Sequence, residues 1–434
     1  MTWSSRVRVS MGDSRRAFYL FSLSLLTAGV GLISTIVLSH SMSIEEYGTY
    51  AYLLSFATLG GVFASFGTPT LVTREVAQFF HKGALTHIKG VLLFSVIVLS
   101  IGTVCVGTSF WLVIHNVLGR NQSGGAEGVL EVTVVLLYLV QFRSICVSAL
   151  NGISEQIRQA VPTLIGGIAF LLSLLIFRIH QSVANPFVVI VLQSIAVLIS
   201  IALQLRELGK TLSWQRLSKT RAIVRWRQWG RESLQFLGAG VAFAVNAQVD
   251  VFLLGTIRGP KFAGPYQVGT KAASVLVIAL GALASIYQPL ISKAHFSGDN
   301  GSVQTSATSI SRTGFLMALA FAAVALPNRK TLLTAIFGKS YGVAAPILGI
   351  LIIGRLANAS VGAVGPYLSM TEKGGVLMIA LVVESVLNIA GNLVLIPIYG
   401  AVGAAIATSA SMVLVNFSAA IYIKKKFGAN MFFI

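Results

Sequence analysis

Twelve long runs of apolar residues dominate this sequence and constrain its fold more than any other feature. Each run can form a helix that crosses the hydrocarbon core of a bilayer, which takes about 20 residues. Only 10% of the residues are charged, compared with about a quarter in soluble domains. The sequence therefore predicts an all-α polytopic membrane protein, with transmembrane helices at 17–38, 48–68, 91–114, 129–150, 161–179, 184–205, 233–257, 264–290, 310–327, 342–366, 375–396 and 400–423.

A basic segment in the middle of the chain divides these runs into six and six. It interleaves Lys and Arg with Trp214, Trp226 and Trp229. This composition is typical of a cytoplasmic loop on anionic lipid headgroups. It also occurs in nucleic-acid-binding segments, but the flanking apolar runs favour the membrane. We predict an N-terminal six-helix bundle at 1–205, a basic cytoplasmic linker at 206–232 and a C-terminal six-helix bundle at 233–434.

Lys and Arg are distributed unevenly among the connections between the runs. They are concentrated in the N-terminal segment, which contains Arg6 and Arg8, and in every second connection after it. The other connections hold few, such as Arg120. Because positively charged loops stay on the cytoplasmic side, this bias predicts that both termini are cytoplasmic. The run at 17–38 is too long for the core of a signal peptide and should remain as the first transmembrane helix.

The two halves of the chain resemble each other. Glu46–Tyr50 aligns with Phe262–Tyr266, an offset of 216 residues, so that Gly48 corresponds to Gly264. An even number of helices in each half makes the repeats parallel, and such repeats are typical of transporters in which one bundle rocks against the other. The sequence thus predicts a V-shaped arrangement of two bundles around a central cavity.

Three cationic side chains lie at hydrocarbon depth, away from the ends of the predicted helices, namely Arg143, Lys271 and Arg355. Charges at hydrocarbon depth are costly and usually face the interior of a bundle. We therefore expect these three to line the cavity as a substrate-binding surface that attracts phosphate groups.

Two acidic side chains also lie at hydrocarbon depth, and each has an amide one helical turn away. Asp250 follows Asn246, and Glu384 precedes Asn388, so each pair shares a helix face. We predict that these residues couple transport to a proton or sodium gradient. An ion pair between Asp250 and Lys271 on the adjacent helix is an alternative use of both charges.

The sequence contains no pattern typical of catalysis or of a resident cofactor. It has no His cluster, phosphate-binding loop, nucleophile elbow or metal-ligand spacing. The connections outside the linker are too short to form a catalytic domain. We expect no catalytic residue, no bound metal and no cofactor apart from a coupling H⁺ or Na⁺.

Several stretches, in order along the chain, resemble Wzx-type polysaccharide flippases, which belong to the multidrug/oligosaccharidyl-lipid/polysaccharide exporter superfamily. The first is Ser43–Tyr50 and the helix after it, which ends in Phe66–Ala77. The others are Asn246–Asp250 with Gly264–Tyr266, and Ile336–Tyr341 before the tenth predicted helix.

This resemblance implies a substrate and a location. Such proteins move an undecaprenyl-pyrophosphate-linked oligosaccharide, the repeat unit of O-antigen or a related surface polysaccharide, across the bacterial inner membrane. A polysaccharide polymerase and a chain-length regulator would be functional partners, and membrane lipids would contact the linker. Arg143, Lys271 and Arg355 would attract the diphosphate.

Other functions are compatible with parts of this pattern. A multidrug or organic-cation antiporter of the same superfamily should have an acidic interior, whereas the helices here hold more cations than anions. A flippase of peptidoglycan precursors usually has two more helices. A membrane glycosyltransferase or polymerase would need a large periplasmic loop, which the sequence lacks.

Overall fold

The structure, a computed structural model, describes residues 11–118, 126–180 and 185–433, so that Arg6, Arg8 and Arg120 lie outside the described residues. Within these ranges the regular elements are helices, and a 3-10 helix at Lys339–Ala344 precedes α13. The helices are α1 Met11–Ser41, α2 Ile44–Ser65, α3 Thr68–His81, α4 Leu85–Leu118, α5 Ala126–Gly152, α6 Gln156–His180, α7 Pro186–Leu212, α8 Trp214–Lys219, α9 Trp226–Arg258, α10 Pro260–Phe296, α11 Asn300–Ala325, α12 Arg329–Phe337, α13 Ala345–Ala359, α14 Val364–Met370, α15 Gly374–Tyr399 and α16 Ala401–Phe427.

The helices confirm the predicted all-α polytopic membrane class. Among the described residues, eleven are long and apolar enough to cross a membrane, and there are twelve spans if the bent pair α2 and α3 counts as one. The twelve predicted runs lie on α1, α2, α4 to α7, α9 to α11, α13, α15 and α16.

The second span is broken, which the apolar pattern does not predict. α2 and α3 meet at an angle of 51°. Phe66 and Gly67 at the junction have φ angles of 50° and 74°, and Pro69 in the first turn of α3 lacks the N–H that would continue the ladder. Because α3 contains many polar residues, it does not form an apolar run, and the sequence pattern therefore does not predict it as part of this span.

Helices cover both ends of the predicted linker 206–232. α7 continues to Leu212, and α9 already begins at Trp226. The helices extend because they have buried side chains to pack: Leu208 and Leu212 are 4% exposed, and Trp229 is fully buried. The expectation that all three tryptophans lie on lipid headgroups is therefore wrong for Trp229. We call the end of the bundle that holds residues 206–232 the basic end.

The tenth predicted span is also interrupted. α13 ends at Ala359, and α14 begins only at Val364. Between them the backbone makes short i to i+3 hydrogen bonds, such as the one from the N–H of Gly362 to the carbonyl of Ala359 at 3.1 Å. Ser360 accepts a further hydrogen bond from the N–H of Phe433 at 3.0 Å. The C-terminal segment therefore satisfies part of the backbone that this break leaves unpaired.

The two halves approach each other closely where α2 crosses α10. A Cβ on Gly48 would lie 2.1 Å from the carbonyl oxygen of Pro260, and one on Gly264 would lie 2.8 Å from that of Ile44. Only residues without a side chain permit this distance between backbones. Since Gly48 and Gly264 are equivalent in the repeat, the internal symmetry axis passes through this crossing.

Two tyrosines support the same internal symmetry. Tyr50 and Tyr266 occupy equivalent positions in the repeat, and both are buried. The Tyr50 hydroxyl donates to Gln193 on α7 at 2.8 Å, and the Tyr266 hydroxyl lies 3.1 Å from that of Thr408 on α16. Each tyrosine thus ties the second transmembrane span of its half to the sixth.

The crossing leads to a prediction about stability. Replacing Gly48 with Leu would push α2 away from α10 and should lower the free energy of unfolding by at least ~1–3 kcal/mol, the usual range for overpacking. Thermal unfolding of the detergent-purified protein, followed by size exclusion, measures the change.

A matched control is Gly281→Ala, because Gly281 lies in α10 with no atom near its would-be Cβ. That variant should unfold at the wild-type temperature or above it, since Ala favours helix by ~1 kcal/mol over Gly. Coincident unfolding of Gly48→Leu and the wild type would contradict the close crossing.

Candidate functional site

A cavity of about 560 Å³ lies between the two halves. α1 and α6 contribute its wall from the N-terminal half, and α10 contributes the wall from the C-terminal half. Its size falls within the range of small-molecule sites, about 300–1,000 Å³. The polar residues that line it are Ser24, Thr27, Gln159, Thr163, Lys271 and Ser274.

Lys271 gives this cavity its charge. Of the described residues that line it, Lys271 is the one with a charged side chain. Within the described part of the chain, no carboxylate lies within 4.0 Å of its amine. The ammonium group is therefore available to an anion that enters between the halves.

The other two predicted cationic residues do not line this cavity. Arg143 is half-buried on α5, and Arg355 is half-buried on α13. Arg355 is close enough to Tyr266 for an electrostatic interaction, and its buried Nε hydrogen has no hydrogen-bond partner among the described residues. The role of Arg143 and Arg355 in substrate binding stays a prediction.

A buried polar cluster within the C-terminal half surrounds Asp250. Asp250 on α9 is 5% exposed. Its Oδ2 accepts hydrogen bonds from the hydroxyls of Tyr266 and Thr408, both at 2.8 Å. Its Oδ1 accepts one from the side-chain amide of Asn392 at 2.6 Å. Helices α9, α10, α15 and α16 thus all contribute to one carboxylate site.

Asn388 and Asn392 extend the cluster along α15. The Asn392 amide also donates to the Oδ1 of Asn388 at 2.7 Å, and the Asn388 amide donates to Thr408 at 3.2 Å. The Oδ1 of Asn392 is buried and has no hydrogen-bond partner among the described residues. An orphaned buried acceptor is costly, so this oxygen is available to a cation or to a proton donor.

The structure separates Asn246 and Glu384 from this cluster. Asn246 accepts a hydrogen bond from Ser385 at 3.2 Å. Ser385 and Asn392 are seven residues apart and lie within roughly 20° of each other on α15, whereas Glu384 is rotated by roughly 80° from Asn392. Glu384 makes no hydrogen bond or ion pair with any residue that the structure describes. Its part in ion coupling stays a prediction.

The alternative ion pair between Asp250 and Lys271 is not present in the structure. The described ion pairs involve neither residue. The physical reason lies in α10, where Tyr266 contacts Asp250 and Lys271 lines the cavity. Five residues along a helix amount to roughly 140° of rotation, so α10 presents Tyr266 and Lys271 on different faces.

Sequence reasoning missed two donors to Asp250, namely Tyr266 and Thr408. A carboxylate at hydrocarbon depth needs hydrogen-bond donors, but the sequence does not show which distant helix supplies them. Thr408 lies 158 positions from Asp250 in a helix rich in Ala and Ser. Its hydroxyl was one of several candidates in that helix.

The sequence matches a family model described as "Polysaccharide biosynthesis protein" over residues 14–295. No curated protein matches it significantly.

Solved structures with the same fold cover nearly the whole chain. The Lipid II flippase MurJ in an inward closed conformation has a TM-score of 0.70 and 16% identity, covering 93% of this chain and 87% of its own. An inward-facing multidrug resistance MATE family transporter of the MOP superfamily has a TM-score of 0.68 and 14% identity. The match covers 95% of this chain and 98% of the transporter. A MOP superfamily transporter from Pyrococcus furiosus has a TM-score of 0.61 and 12% identity, covering 95% and 94%. The chain shares the two-lobed fold of these proteins.

Proposed function

The chain belongs to the polysaccharide biosynthesis protein family, and on this premise we propose that it is a flippase for an undecaprenyl-pyrophosphate-linked oligosaccharide repeat unit. It moves the repeat unit of O-antigen or a related surface polysaccharide from the cytoplasmic to the periplasmic leaflet of the inner membrane. The basic end of the bundle is cytoplasmic, because Lys- and Arg-rich connections stay on that side. Both termini are then cytoplasmic as well.

The cavity supplies the observation that carries this proposal. It lies between the two halves, and Lys271 is the charged residue among those described in its wall. A diphosphate attached to a glycan needs a cation in a polar, water-accessible space. The hydroxyl and amide groups of Ser24, Thr27 and Gln159 are suited to hydrogen bonding with sugar hydroxyls.

Alternating access follows from the internal repeat. The close crossing of α2 and α10 lies on the symmetry axis and joins the halves, so that each half can rotate against the other about it. In the repeat transporters that use this motion, the substrate site lies between the two repeats. The cavity between α1, α6 and α10 has this position.

Coupling to an ion gradient is assigned to the buried cluster around Asp250. The carboxylate, amide and hydroxyl oxygens of Asp250, Asn388, Asn392 and Thr408 are hard donors of the kind that suit Na⁺. A proton on Asp250 would serve the same purpose, since it neutralises a buried charge. Either ion would change the charge of a site that lies on the opposite side of α10 from the cavity.

The main alternative is a multidrug or organic-cation antiporter of the same superfamily. A cavity for organic cations should contain carboxylates, whereas no acidic side chain is among the described residues that line this cavity. The buried Asp250 instead accepts hydrogen bonds from donors on three other helices, α10, α15 and α16. A glycosyltransferase or polymerase is disfavoured by the fold that the chain shares with transporters.

Partners follow from this function. A polysaccharide polymerase and a chain-length regulator would receive the repeat unit on the periplasmic side. Anionic lipids of the inner leaflet would contact exposed basic side chains of the linker region, such as Arg216 and Arg227, together with Trp226, which is 52% exposed.

The role of Lys271 can be tested in cells that lack the chromosomal gene. Lys271→Ala should reduce the surface polysaccharide about tenfold, because one charge-assisted contact contributes ~1.5–3 kcal/mol and 1.4 kcal/mol corresponds to a factor of ten. Lys271→Arg should retain most of the export. Quantitative glycan staining measures the product, with an immunoblot for the amount of protein.

The matched control is Ser274→Ala, which changes a neutral residue of the same wall one turn away on α10. It should leave export near the wild-type level. Full export by Lys271→Ala would exclude Lys271 as an anion-binding residue.

The ion site can be tested by thermal unfolding in sodium chloride and in choline chloride at equal ionic strength. If Na⁺ binds at Asp250, sodium should raise the unfolding temperature of the wild type, because a ligand that binds only the folded state stabilises it. Asp250→Asn should abolish this shift. Glu131→Gln changes an exposed carboxyl group on α5, outside the cluster, and should retain it.

A sodium shift that persists in Asp250→Asn would place the ion elsewhere. If sodium does not raise the unfolding temperature of the wild type, H⁺ is the remaining candidate for the coupling ion. Export by Asp250→Asn should then no longer depend on external pH.

A further inference from the structure

A second buried carboxylate, Glu75, joins the two halves at the basic end. Glu75 lies on α3 and is 2% exposed, and Trp229 in the first turns of α9 is fully buried. The indole N–H of Trp229 donates to the Oε2 of Glu75 at 2.9 Å. α3 belongs to the N-terminal half of the sequence, whereas α9 is the first transmembrane helix of the C-terminal half. This hydrogen bond therefore crosses the boundary between the halves.

Arg74 reinforces the same contact. Its guanidinium donates to the Oε1 of Glu75 at 3.0 Å and also forms an ion pair with Glu232 on α9. It lies over the ring of Phe236, 5.2 Å from the ring centroid. We call Arg74, Glu75, Trp229 and Glu232 the inter-half clamp.

The backbones beneath the clamp are in close contact. A Cβ on Gly67 would lie 2.3 Å from the carbonyl oxygen of Ser233, and a Cβ on Gly90 would lie 1.9 Å from that of Ile223. Such distances leave no room for water between the segments. If this contact opened in each transport cycle, the buried indole of Trp229 would be exposed to water and its hydrogen bond to Glu75 would break each time, which is unfavourable.

The chain that leads into α9 is also attached to the N-terminal half. The Lys89 amine donates to the carbonyls of Ser218 and Thr220 at 3.1 and 2.9 Å. The N–H of Ile223 donates to the carbonyl of Thr86 at 3.1 Å. From residue 218 to Phe236, the chain is therefore held on α3 and α4.

Farther along, α9 packs on the C-terminal half. The carbonyl of Ala242 accepts a hydrogen bond from Ser385 on α15, and Asp250 is enclosed by α10, α15 and α16. On the other side of the molecule, between α1 and α10, the halves are separated by the cavity. The two sides of the interface thus differ in how firmly the halves are joined.

We propose that Glu75 and Trp229 are positioning residues that keep the base of α9 on the N-terminal half, so that the halves separate at the basic end between α1 and α10. This inference rests on the proposed flippase function. It specifies that the substrate enters the cavity between α1 and α10. The clamp stays closed while the opposite side opens.

Distances between pairs of spin labels test this in reconstituted protein whose native cysteines are replaced by Cys105→Ser and Cys146→Ala. One pair, Lys82→Cys with Arg231→Cys, uses exposed positions on the two sides of the clamp. The other pair, Tyr19→Cys with Phe296→Cys, uses positions that are 61% and 70% exposed at the basic ends of α1 and α10. Each pair is measured in sodium chloride, in choline chloride, and with undecaprenyl diphosphate.

The distribution of spin-label distances across the clamp should be narrow and the same in all three conditions. The distribution between α1 and α10 should shift or show two populations. Trp229→Phe, which keeps an aromatic ring but removes the N–H donor, should broaden the clamp distance. Trp226→Phe is the matched control three residues away and should not. If Trp229→Phe fails to fold, Glu75→Gln weakens the ion pair with Arg74 and should broaden the distance less.

A change across the clamp equal to or larger than that between α1 and α10 would overturn the proposal. So would an unchanged clamp distance in both Trp229→Phe and Glu75→Gln. These distances are measured without glycan transport. If the chain proved not to transport a lipid-linked glycan, the distances predicted here could still be observed, so the two proposals fail independently.

Discussion

The whole arrangement depends on the close approach of two helix backbones where α2 crosses α10. Gly48 and Gly264 occupy equivalent positions in the two halves and meet at this crossing, where a side chain on either would collide with the other helix. In a membrane, helices associate through close packing rather than through the hydrophobic effect. This contact therefore keeps two homologous bundles together while a cavity remains between α1, α6 and α10.

α10 connects the features that matter for function. One face carries Tyr266, which donates to the buried Asp250, and another carries Lys271, which lines the cavity. Its first turns form the crossing with α2. A change in the charge of the Asp250 site would alter the packing of Tyr266 and hence the position of α10. In the proposed function, the Asp250 cluster and the cavity would thereby influence each other through one helix, as coupled transport requires.

The class of fold was predictable because long apolar runs indicate transmembrane helices and basic connections indicate the cytoplasmic side of the membrane. The interior positions of Lys271, in the cavity wall, and of Asp250, which is buried, were predictable because isolated charges in apolar helices usually face the interior of a bundle. The partners of Asp250 were not, since they come from helices far away in sequence and are ordinary residues such as Thr408. Trp229 looked like a headgroup anchor, because its buried partner Glu75 lies 154 residues away. The break between α2 and α3 was hidden because it depends on backbone angles at Phe66 and Gly67.

The central claim is that this chain carries a diphosphate-linked glycan across the bilayer. The most direct test uses purified protein in liposomes whose inner leaflet is loaded with an undecaprenyl-diphosphate oligosaccharide. Its arrival in the outer leaflet is followed by cleavage with an added glycosidase. The account predicts that the glycan becomes accessible at a rate that rises with an imposed ion gradient. A glycan that stays in the inner leaflet, while the same liposomes transport an organic cation, would contradict it.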